Sequence, residues 1–226
     1  MEASLDEPVT WRTIVGIWFC SAVISIVTYV GVVVLVGMVA RSAVLALTLG
    51  LIVATTVFWL VFLLSTRQEP VGEWRALLDD RAPVAGAVYS LVCGRLRDRR
   101  MPIYAVVRRT RTGFGGVSNR LILIDGHYKI YVSVFEYGTS LYLGWTMWRT
   151  RRGWTLLGRF VSDLVAGITG RLDPVGMTLR TERARAMREA AHAICREGLH
   201  VAIERKEVPV HYGFPNGLPP IEEPNP

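Results

Sequence analysis

From Thr13 to Thr66 the chain almost lacks charge: Arg41 is the one formal charge, and no Asp, Glu, Lys or His occurs. As a single helix that stretch would run to about 80 Å, against a hydrocarbon core of about 30 Å. It is therefore expected to fold as two transmembrane spans, near 13–38 and 44–64, with Arg41 and Ser42 at the turn. The lack of an intramembrane carboxylate or imidazole argues against a membrane enzyme. A cleaved signal peptide fits poorly, because the first 12 residues carry Glu2, Asp6 and Glu7 against Arg12 alone and the apolar run far exceeds an h-region.

Cysteine is scarce. Three residues, Cys20, Cys93 and Cys195, have no pairing or metal-binding spacing, so neither a disulfide framework nor a zinc site is expected, and free thiols in a reducing compartment are. His192 and Cys195 lie three apart on one helix, with His200 beyond, which is too few ligands for a metal. His127 follows a turn and has no partner pattern that suggests a triad. No catalytic residue, metal or cofactor is expected, and the chain is read as non-enzymatic. Lysine is scarcer still: of 26 basic residues only Lys129 and Lys206 are lysines. That bias, with abundant Val, Ala and Gly, fits a high-GC bacterial genome, so the arginines are not read as selected for bidentate chemistry.

What is present points to an α+β protein: an N-terminal two-helix transmembrane hairpin, then a small cytoplasmic domain with an antiparallel β-meander covered by helices. The expected segments are a cytoplasmic tail at 1–12, the hairpin at 13–65, a basic domain at 66–208 and a Pro-rich disordered tail at 209–226, where six of the eleven prolines fall. Arg67, Arg75 and Arg81 follow the second span, and cytoplasmic flanks collect Lys and Arg. Both termini are accordingly expected in the cytoplasm, the hairpin in the inner (cytoplasmic) membrane, and Trp11, Trp18, Trp59, Trp148 and Trp154 as interfacial anchors.

Within the domain, Thr66–Val71 reads as a linker and Glu73–Asp80 as a helix. A second helix after Pro83 has the stripe Val84, Val88, Leu91, Val92 and Leu96. Ile103–Val107 has strand composition, and 108–119 reads as a loop around Gly113-Phe114-Gly115-Gly116. No helix or Gly-Lys-Ser/Thr follows those glycines, so they make a hairpin loop and not a phosphate cradle. Leu121–Ile124 and Tyr128–Phe135 flank Asp125-Gly126, a type I′ turn signal, and Tyr137-Gly138 leads to a third strand at Ser140–Arg149. Leu156 to Ile168 gives an apolar helix face, which either covers the sheet or lies flat on a bilayer. After Asp173-Pro174, Thr178 is expected to cap a helix to Glu204 whose inner stripe is Met187, Ala191, Ile194, Cys195, Gly198 and Ala202.

The strongest functional signal is basic. Residues 67–226 carry 24 Lys plus Arg against 16 Asp plus Glu, and seven arginines crowd 95–111 against Asp98 alone. Arg95, Arg97, Arg99, Arg100, Arg108, Arg109 and Arg111, with Arg149, Arg151 and Arg152, are the candidate contacts to anionic lipid or another polyanion, the alternative being an ordinary solvated face. The expected partners are membrane lipids and either a protein partner or a second copy of the chain, with nucleic acid as the further option. Three roles follow: a membrane-anchored adaptor, a membrane-tethered nucleic-acid-binding accessory factor such as plasmid transfer uses, or a two-span effector with a ligand-sensing domain.

Overall fold

The computed structural model describes residues 11–40, 42–111, 116–158, 161 and 174–223, without the side chains of 11–13 and 174–180. The protein is α+β, with two long apolar N-terminal helices and a domain built on a mixed sheet. Its described residues divide into two units, one holding those up to 68 and from 150 to 174, the other those from 69 to 149 and from 175 onward.

In the first unit α1 (Trp11–Ala40) and α2 (Ala43–Leu64) have 30 and 22 residues. At 1.5 Å per residue they are about 45 and 33 Å long. Both are long and apolar enough to cross a membrane. Ser42 caps α2: it adopts extended backbone and its hydroxyl accepts the Leu45 N–H at 3.5 Å. The helices pack through small residues. Ala46, Gly50 and Ala54, four apart, are buried along one line of α2. A Cβ on Gly50 would meet Val33 Cγ2 at 2.7 Å, so glycine allows the approach. The Ser25 hydroxyl crosses to donate to the Ala54 carbonyl at 2.7 Å, a polar contact of the kind that joins helices without water.

At the ends of the hairpin Ile17 and Phe62 enclose Leu156 in a small core. Residues 153–158 are helical, and the rest of the expected helix face from Leu156 to Ile168, apart from Val161, lies outside the described residues. Gly153 donates its N–H to the Ser65 carbonyl at 2.8 Å. A Cβ there would sit 1.8 Å from the Phe62 carbonyl oxygen, which only glycine avoids.

The sheet has six strands in the order β1-β5-β4-β3-β2-β6. They are β1 (Thr66–Leu78), β2 (Tyr104–Arg111), β3 (Val117–Asp125), β4 (Tyr128–Tyr137), β5 (Ser140–Arg152) and β6 (Ile221–Glu222). From β2 to β5 each strand pairs antiparallel with the next, and β6 runs parallel to β2. Cross-strand partners such as Leu121↔Val132 and Val132↔Trp145 line up one face. Leu121, Leu123, Ile130, Val132, Val134, Leu141, Leu143, Trp145 and Met147 are all buried there, as alternation at period two requires. Over them lie α3 (Ala85–Asp98) and α4 (Pro174–Glu204), and the expected α4 stripe from Met187 to Ala202 is buried throughout.

Several expectations are corrected. Thr66–Val71 and Glu73–Asp80 are not linker and helix; residues to Leu78 form strand β1, and Asp79-Asp80 is a turn. Trp74, Ala76 and Leu78 are half-buried while Glu73, Arg75 and Leu77 are exposed, a period of two that pairing with β5 selects over helical propensity. Pro70 is tolerated because β1 is an outer strand. Much of the 108–119 loop is strand, leaving 112–116 as the connection, of which only Gly116 is described. The first hairpin has Gly126-His127 at its centre, with Asp125 opposite Tyr128. Only Gly126 has positive φ, at 57°, so the turn follows the II′ pattern and not I′. Thr178 lies inside α4, which opens on Pro174, a favoured first helical residue.

The expected disordered tail is also corrected. Residues 210–213 form a short helix, Phe214 is 7% exposed against Tyr89, and Ile221–Glu222 pairs with β2. The Ser90 hydroxyl donates to the Pro209 carbonyl at 2.7 Å and accepts the Gly213 N–H at 3.0 Å. This strap explains why Val88 to Gly94 are buried without a break, a pattern that a helix covered on one side cannot give.

Candidate functional site

The arginine run does not form one surface. At the end of α3, Arg95 Nε lies 2.8 Å from Glu197 Oε2 on α4, and Arg99 pairs with the same carboxylate. Arg97 donates to the Tyr212 carbonyl. Asp98, the one acid of the run, accepts the Tyr212 hydroxyl at 2.6 Å, and that donation raises the phenol pKa above its ordinary value. Arg109 bonds Asn119 Oδ1 at 3.1 Å and the Pro219 carbonyl at 3.3 Å. Arg149 and Arg151 are buried, with Arg149 3.1 Å from Glu69, so they leave the set of surface contacts. They fall on the inward-facing parity of β5, where Leu141 to Met147 also point. Exposed guanidinium groups remain at Arg100, Arg108, Arg111 and Arg152.

Arg108 has a neighbour the sequence reading left outside the candidate set. The register sets it directly opposite Arg120, on the sheet face away from the helices. Like charges placed so are destabilising, by roughly 0.2–1 kcal/mol. Among the described residues neither side chain has an ion pair.

Among the described residues that same face is open. Alternation opposite the core brings Tyr104, Val106, Ile122, Ile124, Tyr131, Phe135, Tyr142 and Trp148 to it, all exposed or half-buried, together with Arg108, Arg120 and Lys129. At its β1 end Phe135 and Tyr142 stack at 4.6 Å. With Arg75, Ala76, Leu77 and Tyr137 they line an apolar depression of about 480 Å³. Leu77 is 54% and Tyr137 71% exposed, so the rim of the depression is apolar and solvent-facing. Sequence reasoning missed the depression, because Leu77 had been placed on a helix.

Elsewhere, groups that often carry chemistry are accounted for by packing. Burial pushes the Cys93 and Cys195 thiols up to about 12, which keeps them protonated and unreactive. His192 sits between Trp74 and Trp145, accepting from the Trp145 indole N–H at 3.4 Å. Among the described residues no group of three His, Cys, Asp or Glu is placed to hold a metal. Of the expected anchors, Trp18, Trp59 and Trp154 are about half exposed, Trp148 lies on the open sheet face, and the Trp11 side chain is outside the described residues. Comparison with protein-family models, curated proteins and solved structures found no match.

Proposed function

We propose that this protein is a non-enzymatic adaptor of the bacterial inner membrane. The α1–α2 hairpin spans the bilayer, both termini are cytoplasmic, and the open sheet face receives an acidic segment of a protein partner. The exposed apolar surface of α1 and α2 supports the anchor, since water would penalise it at roughly 25 cal/mol per Å². The single observation that carries the adaptor role is the open face. An aromatic depression supplies a hydrophobic anchor point, and the unpaired Arg108–Arg120 couple supplies complementarity to acid. Aromatic anchors ringed by polar groups are how interfaces concentrate affinity.

The test uses photo-crosslinking in cells of the native host. A photoreactive side chain at Tyr137, on the open face, should give a discrete protein adduct, and one at exposed Arg196 on α4 should not. Arg108→Glu with Arg120→Glu should remove the adduct while the chain still fractionates with membranes. A nuclease-sensitive adduct would transfer the site to the nucleic-acid reading. No adduct at Tyr137, or one indifferent to charge reversal, would reject the adaptor. Reporter fusions at residue 41 and at the C-terminus test the topology, and a C-terminal fusion active only outside the cytoplasm would reject it.

A further inference from the structure

A second surface feature is independent of the open face. On the helix side of the sheet, a cleft of about 280 Å³ opens between the C-terminal half of α3, the first half of β2 and Gly213 of the strap. Its walls are Leu96, Met101, Ile103, Ala105, Val107 and Leu121, its floor is Cys93, and Arg97 and Arg100 complete the lining. Among the described residues no carboxylate lines it. Burial keeps the Cys93 thiol protonated, so the floor is uncharged and, among those residues, the guanidinium groups are the only charges facing the space.

Arg100 marks the cleft as more than a packing gap. It follows the Arg99 cap of α3, donates its N–H to the Arg97 carbonyl at 3.0 Å, and has φ of 44°. This is the left-handed position after a helix end, where glycine is favoured because a Cβ is strained there. Backbone strain kept at a non-glycine residue points to a role for the side chain. Arg95 and Arg99, on the same turn, are neutralised by Glu197. Arg100 has no side-chain ion pair or hydrogen bond among the described residues.

We propose that this cleft binds a small amphipathic anion, with its apolar body against Ile103, Val107 and Leu121 and its phosphate or carboxylate head held by Arg97 and Arg100. The volume is many times the roughly 10–15 Å³ that a single water needs. That suits a six-carbon chain with its head group at the mouth. Such a molecule is either a soluble metabolite or the end of a membrane lipid, and the experiment separates them.

The full chain, in nanodiscs of phosphatidylcholine, is titrated calorimetrically with hexyl phosphate against empty nanodiscs, with 1-hexanol and inorganic phosphate as controls. Hexyl phosphate should bind at least tenfold more tightly than either control, since each supplies half of the recognition. Arg100→Gly relieves the backbone strain and removes the cation. It should melt no lower than the parent and bind roughly tenfold or more weakly, the worth of one charge-assisted contact. Ala105→Phe, at the exposed lip, fills the cleft and should abolish binding with both arginines intact. Unchanged affinity in either variant, or hexyl phosphate matching hexanol, would overturn the proposal. Repeating the titration with phosphatidylglycerol in the nanodisc identifies the source. Competition with hexyl phosphate marks a lipid occupant and its absence a soluble one, and both results support the site.

Discussion

The strap invites the sharpest stability experiment, Phe214→Ala. The ring is 7% exposed, stands 5.1 Å from that of Tyr89, and belongs to the same core as Val88, Val92 and the inner sheet face. Large-to-alanine changes at buried Phe cost roughly 3–5 kcal/mol, and the aromatic pair itself accounts for about 0.5–1.5 of that. Phe214 lies at the rim of the core, so the lower end applies, about 3 kcal/mol. For a chain of this size that lowers the melting midpoint by about 6–12 °C. Near-UV circular dichroism of the full chain in detergent reads the midpoint, and hydrogen exchange of the 88–94 amides reads the local effect, which should be loss of protection. A tail that only trails in solvent predicts less than about 0.5 kcal/mol. A midpoint shift under about 2 °C with unchanged exchange would therefore refute the strap. Truncation after residue 208 is the cruder version, because it also removes the entropy of ordering the segment.

Ile194→Asp places an unpaired charge in the α4 stripe and should cost several kcal/mol; an unchanged melting midpoint would show that the stripe faces no core. Gly50→Leu should force α2 from α1, lengthening an inter-helix spin-label distance by about 1–2 Å, and an unchanged distance would contradict the close approach at Val33. Stability should also fall in alkali. Cys93 and Cys195 are raised to about 12 from an ordinary thiol value near 9. Below pH 9 both states keep the proton and the stability is whole. Between 9 and 12 only the unfolded thiol ionises, so stability drops by about 2 kcal/mol per thiol at pH 10.5. Replacing both by alanine should flatten that slope, and a slope left intact would place its origin elsewhere.

Much of the fold was legible wherever one physical signal dominated. Two apolar runs of helical length gave α1 and α2 to within a few residues, and the turns at Gly126 and Gly138 gave β4 and β5 to within about three. The errors share a cause. Glu73 to Asp80 holds the helix formers Glu73, Arg75, Ala76, Leu77 and Leu78, whose helix preference is weak and yields to a partner strand at the sheet edge. The Pro-rich segment looked unable to pack, yet a single aromatic, Phe214, and the hydroxyl of distant Ser90 give it a place. Nothing local announces a contact between residues 119 positions apart. The small-residue line Ala46, Gly50, Ala54 carried a readable four-residue spacing that went unmarked. The arginines were countable from sequence but not sortable, because whether each meets Glu197, Glu69, a carbonyl or solvent depends on register.

The strap also orders events in time. Hairpins between β3 and β5 close through two-residue turns at Gly126 and Gly138 and zip from neighbouring residues. The outer side of α3 must wait for Pro209 to Phe214, made long after Ser90 has left the ribosome. Until then the outward side of its run from Val88 to Gly94 lies open, a sticky surface on a nascent chain. Long-range closures of this kind slow folding. A cell making this protein thus faces an interval, set by translation speed, in which an almost finished domain still lacks its last contact.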